Sequence, residues 1–147
     1  VTVWRTVNSK FVNDWVNRSE ILPYVTPPQL SVDKLDITSA VEDRETLWLV
    51  YGDAMAVFSP LGDREYDGHY LFKSSCRGKK ALFAAQKLLD EVFTRYRALA
   101  IVGRISRDNR AARYITRALG FHPTGADLSD GYVEYRLERT QWETSLD

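Results

Sequence analysis

A strand, a polar turn, a long amphipathic helix and a second, wholly apolar strand follow one another between residues 66 and 105. That succession leaves the chain little freedom. Residues 66–73 alternate, with Tyr66, Gly68, Tyr70 and Phe72 on one face and Asp67, His69, Leu71 and Lys73 on the other. Ser74-Ser75-Cys76-Arg77-Gly78-Lys79-Lys80 breaks the strand. Ala81, Ala85, Leu88, Leu89, Val92, Phe93 and Tyr96 then recur at helical spacing. Ala98-Leu99-Ala100-Ile101-Val102 is the longest apolar run, and 99–105 reads as a buried strand. Two strands joined through a helix pair in parallel, and the helix covers one face of their sheet.

The flanking sequence predicts antiparallel additions to this unit. Residues 2–7 form a short strand. Ser9 caps a helix through Phe11, Val12, Trp15 and Val16, which Pro23 ends. Residues 24–36, with Pro27-Pro28, read as a loop or a short second helix. Leu47-Trp48-Leu49-Val50-Tyr51 and 54–59 make a hairpin about Gly52-Asp53, and Pro60-Leu61-Gly62-Asp63 is the next turn. Asp108 or Asn109 caps a helix over 110–119 that Gly120 stops, and 121–124 and 132–138 are the last strands. The fold class is α/β (α+β), a mixed and mostly antiparallel sheet flanked by helices. One domain over 1–147 is expected: an N-terminal strand and helix region (1–46), a core (47–139) and a tail (140–147).

Composition excludes several functions. The 147 residues carry 20 basic and 20 acidic side chains, so neither a uniform nucleic-acid-binding coat nor an acidic tail is present. One cysteine excludes an internal disulfide framework. Two histidines, Cys76 and scattered carboxylates argue against an all-protein metal site. No apolar run approaches the roughly 20 residues of a membrane span, and the N-terminal residues lack a signal-peptide core. A cytoplasmic location away from membranes is expected. The charge is nevertheless split: residues 1–72 hold 6 basic and 11 acidic side chains, and 73–139 hold 14 and 7. Such a dipole steers anions or acidic partners to one side, unless the two halves pair within the molecule.

Two segments carry candidate chemistry. A turn that releases a strand into a helix leaves unpaired amides at the positive end of the helix dipole, a cradle for phosphate, and Arg77, Lys79 and Lys80 add charge there. The second segment is more specific. Asn109, Ala112 three residues later, and Leu119-Gly120-Phe121 follow a buried strand. Together they resemble the GCN5-related N-acetyltransferase (GNAT) superfamily over roughly residues 47–139.

The resemblance implies acetyl-CoA, with its pyrophosphate on an Arg/Gln-x-x-Gly-x-Gly/Ala turn and pantetheine between splayed strands. It assigns cofactor contact to Arg77, Gly78, Lys79, Lys80, Ala81, Leu82 and Asn109. Lys80 falls on the first motif glycine and Leu82 on the final Gly/Ala, where side chains obstruct approach to the backbone. The family's thiolate-protonating Tyr falls on Thr116, a far weaker acid. Tyr114 stands roughly 200° round the helix from that position. His69 lies where family members place a general base, and its plainer reading is a half-buried strand residue. Glu65 and Asp67 read as solvated carboxylates. Cys76, beside Arg77, is either a thiol of lowered pKa or a structural residue.

The four tryptophans read as core or interface anchors. Arg104, Arg107, Arg110, Arg113 and Arg117 form a basic stripe that is either a solvated face or a site for CoA phosphate or an acidic protein, with nucleic acid disfavoured.

A looser resemblance is to the short GNAT-like proteins of tailed bacteriophages, in size and in the Lys-bearing turn. It implies a non-catalytic virion or head-assembly module, in host cytoplasm or virion, with no cofactor. Its charged surface and Trp-bearing ends, 2–15 and 139–147, would meet other protein subunits. The alternative is an acetyl-CoA-dependent N-acetyltransferase acting on a small amine or protein amino group. The first expectation, favoured by Lys80 and Leu82, has those side chains closing the cradle. The second requires a continuous cleft between strands 66–73 and 99–105.

Overall fold

A computed structural model describes residues 1–26, 32–126 and 130–145. Seven strands form one sheet: β1 (Trp4–Thr6), β2 (Leu47–Tyr51), β3 (Ala54–Gly62), β4 (Glu65–Phe72), β5 (Ala100–Ser106), β6 (His122–Pro123) and β7 (Tyr132–Glu138). Their order is β1-β2-β3-β4-β5-β7-β6. Every neighbouring pair is antiparallel except β4 with β5, which α4 (Lys79–Thr94) connects. The parallel crossover expected from the sequence is therefore present, within the expected α/β class.

Alternation along β2 divides the core. Leu47 and Leu49 join the cluster under α4, with Phe58, Leu88, Phe93 and Ile101. Trp48 and Val50 join the opposite cluster under α1 (Ser9–Val16), with Val12, Trp15, Met55 and Leu71. The α4 stripe is buried from Ala81 to Phe93, and Tyr96 packs against its end.

Several local expectations are corrected. Asn8, not Ser9, caps α1: its backbone is extended and its side chain accepts the Phe11 N–H at 3.1 Å. Pro23 does not end α1, which stops at Val16. It sits in the first turn of a separate short helix, α2 (Leu22–Val25), where its missing N–H costs nothing. Pro27-Pro28 lies outside the described residues. A further helix, α3 (Thr38–Glu42), was not expected. β3 runs through Pro60 with a register irregularity between Pro60 and Gly62, so the turn moves to Asp63 and Arg64, both with positive φ.

The segment read as a tail is a helix, α6 (Arg139–Ser145), beyond which 146–147 lie outside the described residues. Trp142 is buried there and stacks on Phe93, with ring centroids 5.6 Å apart. Trp15 is also buried and donates its indole N–H to the Leu71 carbonyl at 3.1 Å. Trp15 and Trp142 thus both turn into this molecule's own core. Trp4 is half exposed against Phe11. No helix among the described residues is long and apolar enough to cross a membrane.

Candidate functional site

The pairing of β4 with β5 is brief. It joins Glu65 with Ala100, Tyr66 with Ile101 and Asp67 with Val102, and then stops. β4 stays paired to β3 as far as Phe72, and β5 to β7 as far as Ser106. Each strand is held by its outer neighbour while the two facing edges part. Two glycines stand at the divergence. A Cβ on Gly68 would come within 2.9 Å of Ile101 Cγ2, and one on Gly103 would meet only the Gly68 carbonyl, at 3.7 Å.

The opening is a cavity of about 290 Å³ that passes through the sheet. Ala81 and Phe121 line it from the α4 side, and Ile21 and Leu71 from the α1 side. The main chain of β4 from Gly68 to Phe72 has no partner strand along this edge. An extended ligand can take those hydrogen bonds as an added strand would.

At one end the cavity reaches Arg77 and Gly78. Gly78, with φ +60°, caps α4 without any side-chain hydrogen bond, and nothing stands within 4 Å of where its Cβ would be. The first-turn amides of α4 are left for an anion. Of the residues assigned to cofactor contact, Arg77, Gly78, Ala81 and Asn109 line the cavity. Lys79 and Lys80 are exposed on the first helical turn, and Leu82 packs against the core. The expected obstruction by Lys80 and Leu82 is therefore not seen at the cavity wall: the phase of α4 turns Ala81 inward. Cys76 is buried, and desolvation, with Asp53 nearby, raises its thiol pKa against the pull of Arg77 and Lys80. The lowered-pKa reading is corrected.

α5 (Arg110–Ala118) covers the slot from one side. Asn109 is its N-cap and accepts the Ala112 N–H at 3.1 Å. Thr116 lines the cavity, with its hydroxyl donated back to the Ala112 carbonyl at 2.7 Å. Tyr114 is 70% exposed and lies off the cavity. The basic stripe is partly internal. Arg113 donates to the Tyr135 hydroxyl at 3.3 Å and to the Arg107 carbonyl at 3.0 Å. Burial of Tyr135 opposes ionisation, but hydrogen bonds and charge from Arg113 and Arg117 outweigh it and lower its pKa.

On the α1 side, Glu20, Tyr24 and His69 border the opening. Sequence reasoning missed Glu20 and Tyr24, which no motif marks. Glu20 accepts the Ser74 N–H at 3.1 Å and pairs with Arg18, at 3.1 Å. Its own and the Ser74 backbone N–H groups hold its pKa down at about 2, with help from Arg18. His69 keeps exposed surface because it faces cavities, yet enough protein surrounds its ring for burial to lower its pKa. Asp67 and a hydrogen bond to the Tyr24 main chain act in the opposite direction. Glu65 is not free: Arg136 grips both its oxygens, at 2.9 and 3.1 Å, and lowers its pKa. The described residues contain no cluster of three or more metal-ligating side chains.

No protein-family model matches this chain, and no curated protein sequence does. Solved structures do. A spermidine N-acetyltransferase from Vibrio cholerae, in complex with CoA and spermine, is 15% identical with a TM-score of 0.74 over 97% of both chains. A GNAT-family acetyltransferase from Bacillus anthracis is 15% identical, with a TM-score of 0.68 over 95% of this chain and 96% of that one. A ribosomal-protein-S5-alanine acetyltransferase from Vibrio fischeri is 14% identical, with a TM-score of 0.68 over 95% of this chain and 93% of that one. At such identities the shared property is the fold, which is that of GNAT acetyltransferases.

Proposed function

We propose that the chain binds an acyl-CoA, acetyl-CoA in the first place, in the slot between β4 and β5 and passes the acyl group to an amine. The slot itself carries this reading. It has a basic, amide-bearing end at Arg77 and Gly78, an unpaired strand edge along its length, and an opening to the other face of the sheet beside His69. Gly78 and Gly103 supply the side-chain-free approach that a long ligand needs. A bound acyl-CoA supplies a thioester whose C–S bond is exchanged for a C–N bond to the incoming amine. The chain's part is to align the donor, with Arg77 and the α4 amides on its phosphates and Asn109 fixing α5 over it. His69, whose surrounding protein favours the neutral imidazole, takes the proton that the amine nitrogen sheds.

A thermal melt tests the first step. Acetyl-CoA at a hundredfold excess over its Kd stabilises a one-site binder by about 2.7 kcal/mol. A shift in melting temperature with acetyl-CoA, followed by free-thiol release in the presence of amines and its loss in His69→Gln, is the expected result. No shift overturns the reading.

A second reading is favoured by one observation: Thr116 has given its hydroxyl to Ala112 and Tyr114 points away, so neither of these two α5 side chains stands ready to protonate a leaving thiolate. In that reading the fold serves as a non-catalytic assembly module with no cofactor, like the short GNAT-like proteins of tailed phages. Its charged faces then meet other protein subunits. No shift with acetyl-CoA, and no thiol release across an amine panel, would favour this second reading.

A further inference from the structure

A second cavity, of about 240 Å³, lies on the α1 side and shares His69 and Leu71 with the slot. Val16 of α1, Val25 of α2, Trp48 of β2 and Val57 of β3 wall it, and Asp67 is the one carboxylate among the described residues of its lining. Asp67 and His69 are two residues apart on β4 and so face the same way. None of the ion pairs among the described residues includes Asp67. Burial raises its pKa, with Glu134 adding to the effect, while His69 and Arg104 act against it. The other carboxylates of this corner are engaged. Glu20 holds the Ser74 N–H and Arg18, and Asp36 accepts from Thr38 and Asn13.

We infer that this second cavity is the acceptor site, and that it takes a primary amine borne on a single apolar or aromatic body, with the ammonium held by Asp67. The inference rests on the acyltransferase reading and names its second substrate. One carboxylate answers one ammonium. A diamine or polyamine would have to bury a second cation against Val16, Trp48 and Val57, with no counter-charge to offset its desolvation. His69 borders both cavities, so an amine nitrogen passing from Asp67 toward the slot meets its imidazole.

Isothermal titration of the full chain with 2-phenylethylamine and with spermidine, each with and without acetyl-CoA, tests the assignment. The aromatic monoamine is expected to bind about tenfold or more tightly than spermidine, and Asp67→Asn to weaken it by about tenfold, the loss of one charged hydrogen bond. Val57→Phe, which fills the cavity while leaving the Asp67 carboxylate in the chain, is expected to weaken it as well. Both variants should hold acetyl-CoA within about twofold of the parent affinity. Tighter binding of spermidine, unchanged binding by Asp67→Asn and Val57→Phe, or no uptake of 2-phenylethylamine by a chain that binds acetyl-CoA overturns the assignment alone. Amine uptake that needs Asp67 in a chain indifferent to acetyl-CoA would keep the amine site and remove the acyltransferase reading.

Discussion

Glu20 fastens the corner between α1 and α2 to the turn after β4, because its carboxylate accepts the Ser74 N–H at 3.1 Å. That corner forms one lip of the slot. The pKa of Glu20 is near 4.5 when it is free and about 2 in the fold. A depressed carboxylate stabilises the fold fully above its unfolded value, and the contribution fades as pH falls through the folded one. Stability should therefore drop between pH 4.5 and about 2, and Glu20→Gln should remove much of that slope. Urea midpoints across the window measure it; identical slopes for parent and variant would contradict the role given to Glu20. The Glu20 side chain is half-buried at the surface, where solvent screens its contacts, so the drop is modest.

At the scale of elements, the two glycines of the divergence make different demands. Gly68 is filled around: Ile101 Cγ2 at 2.9 Å and Phe58 ring carbons at 3.1 and 3.2 Å would meet its Cβ. Gly68→Ala should cost about 1–3 kcal/mol in overpacking. Gly103→Ala meets one carbonyl at 3.7 Å, an ordinary contact, and should leave stability nearly unchanged while it narrows the slot and weakens acetyl-CoA binding. Chemical denaturation and ligand titration of the pair separate the two. Equal destabilisation by both would show that the divergence is not built as described.

The same elements show what a sequence can reveal. The α4 stripe, the Asn109 cap and the stop at Gly120 are local signals, and they appear where expected. α6 is not local: Thr140, Gln141 and Thr144 give no periodic stripe, and the helix stands because Trp142 stacks on Phe93 and Arg139 donates to the Phe93 carbonyl. α3 has five residues, too few for a pattern to register. For the site, the anion end was legible because helix starts and glycine have a fixed physical meaning. Whether Lys80 blocks it was not, because that depends on the phase at which α4 leaves Gly78. Gly68, set within an alternating strand, was the available sign of a close approach.

At the scale of the molecule, charge decides how a ligand arrives. The excess of basic side chains falls between residues 73 and 139, and that stretch contains Arg77, Lys79 and Lys80 at the slot's anion end and Arg107 and Arg110 beside the start of α5. None of these five takes part in an ion pair among the described residues. The cations that do pair, such as Arg136 with Glu65 and Arg139 with Glu143, stand elsewhere. The local field at the slot is therefore positive although the whole chain is neutral. Such a field raises the encounter rate of a polyanion and is screened beyond about 10 Å at 0.1 M salt. Acetyl-CoA association should slow on the order of tenfold between low and high salt, with dissociation changing less. The doubly reversed Lys79→Glu, Lys80→Glu variant should lose most of that salt dependence while keeping its fold, since both side chains are exposed on the outer turn of α4. Stopped-flow traces at several ionic strengths decide it. An association rate indifferent to salt, or a variant as salt-sensitive as the parent, would mean that the basic stretch serves something other than the slot.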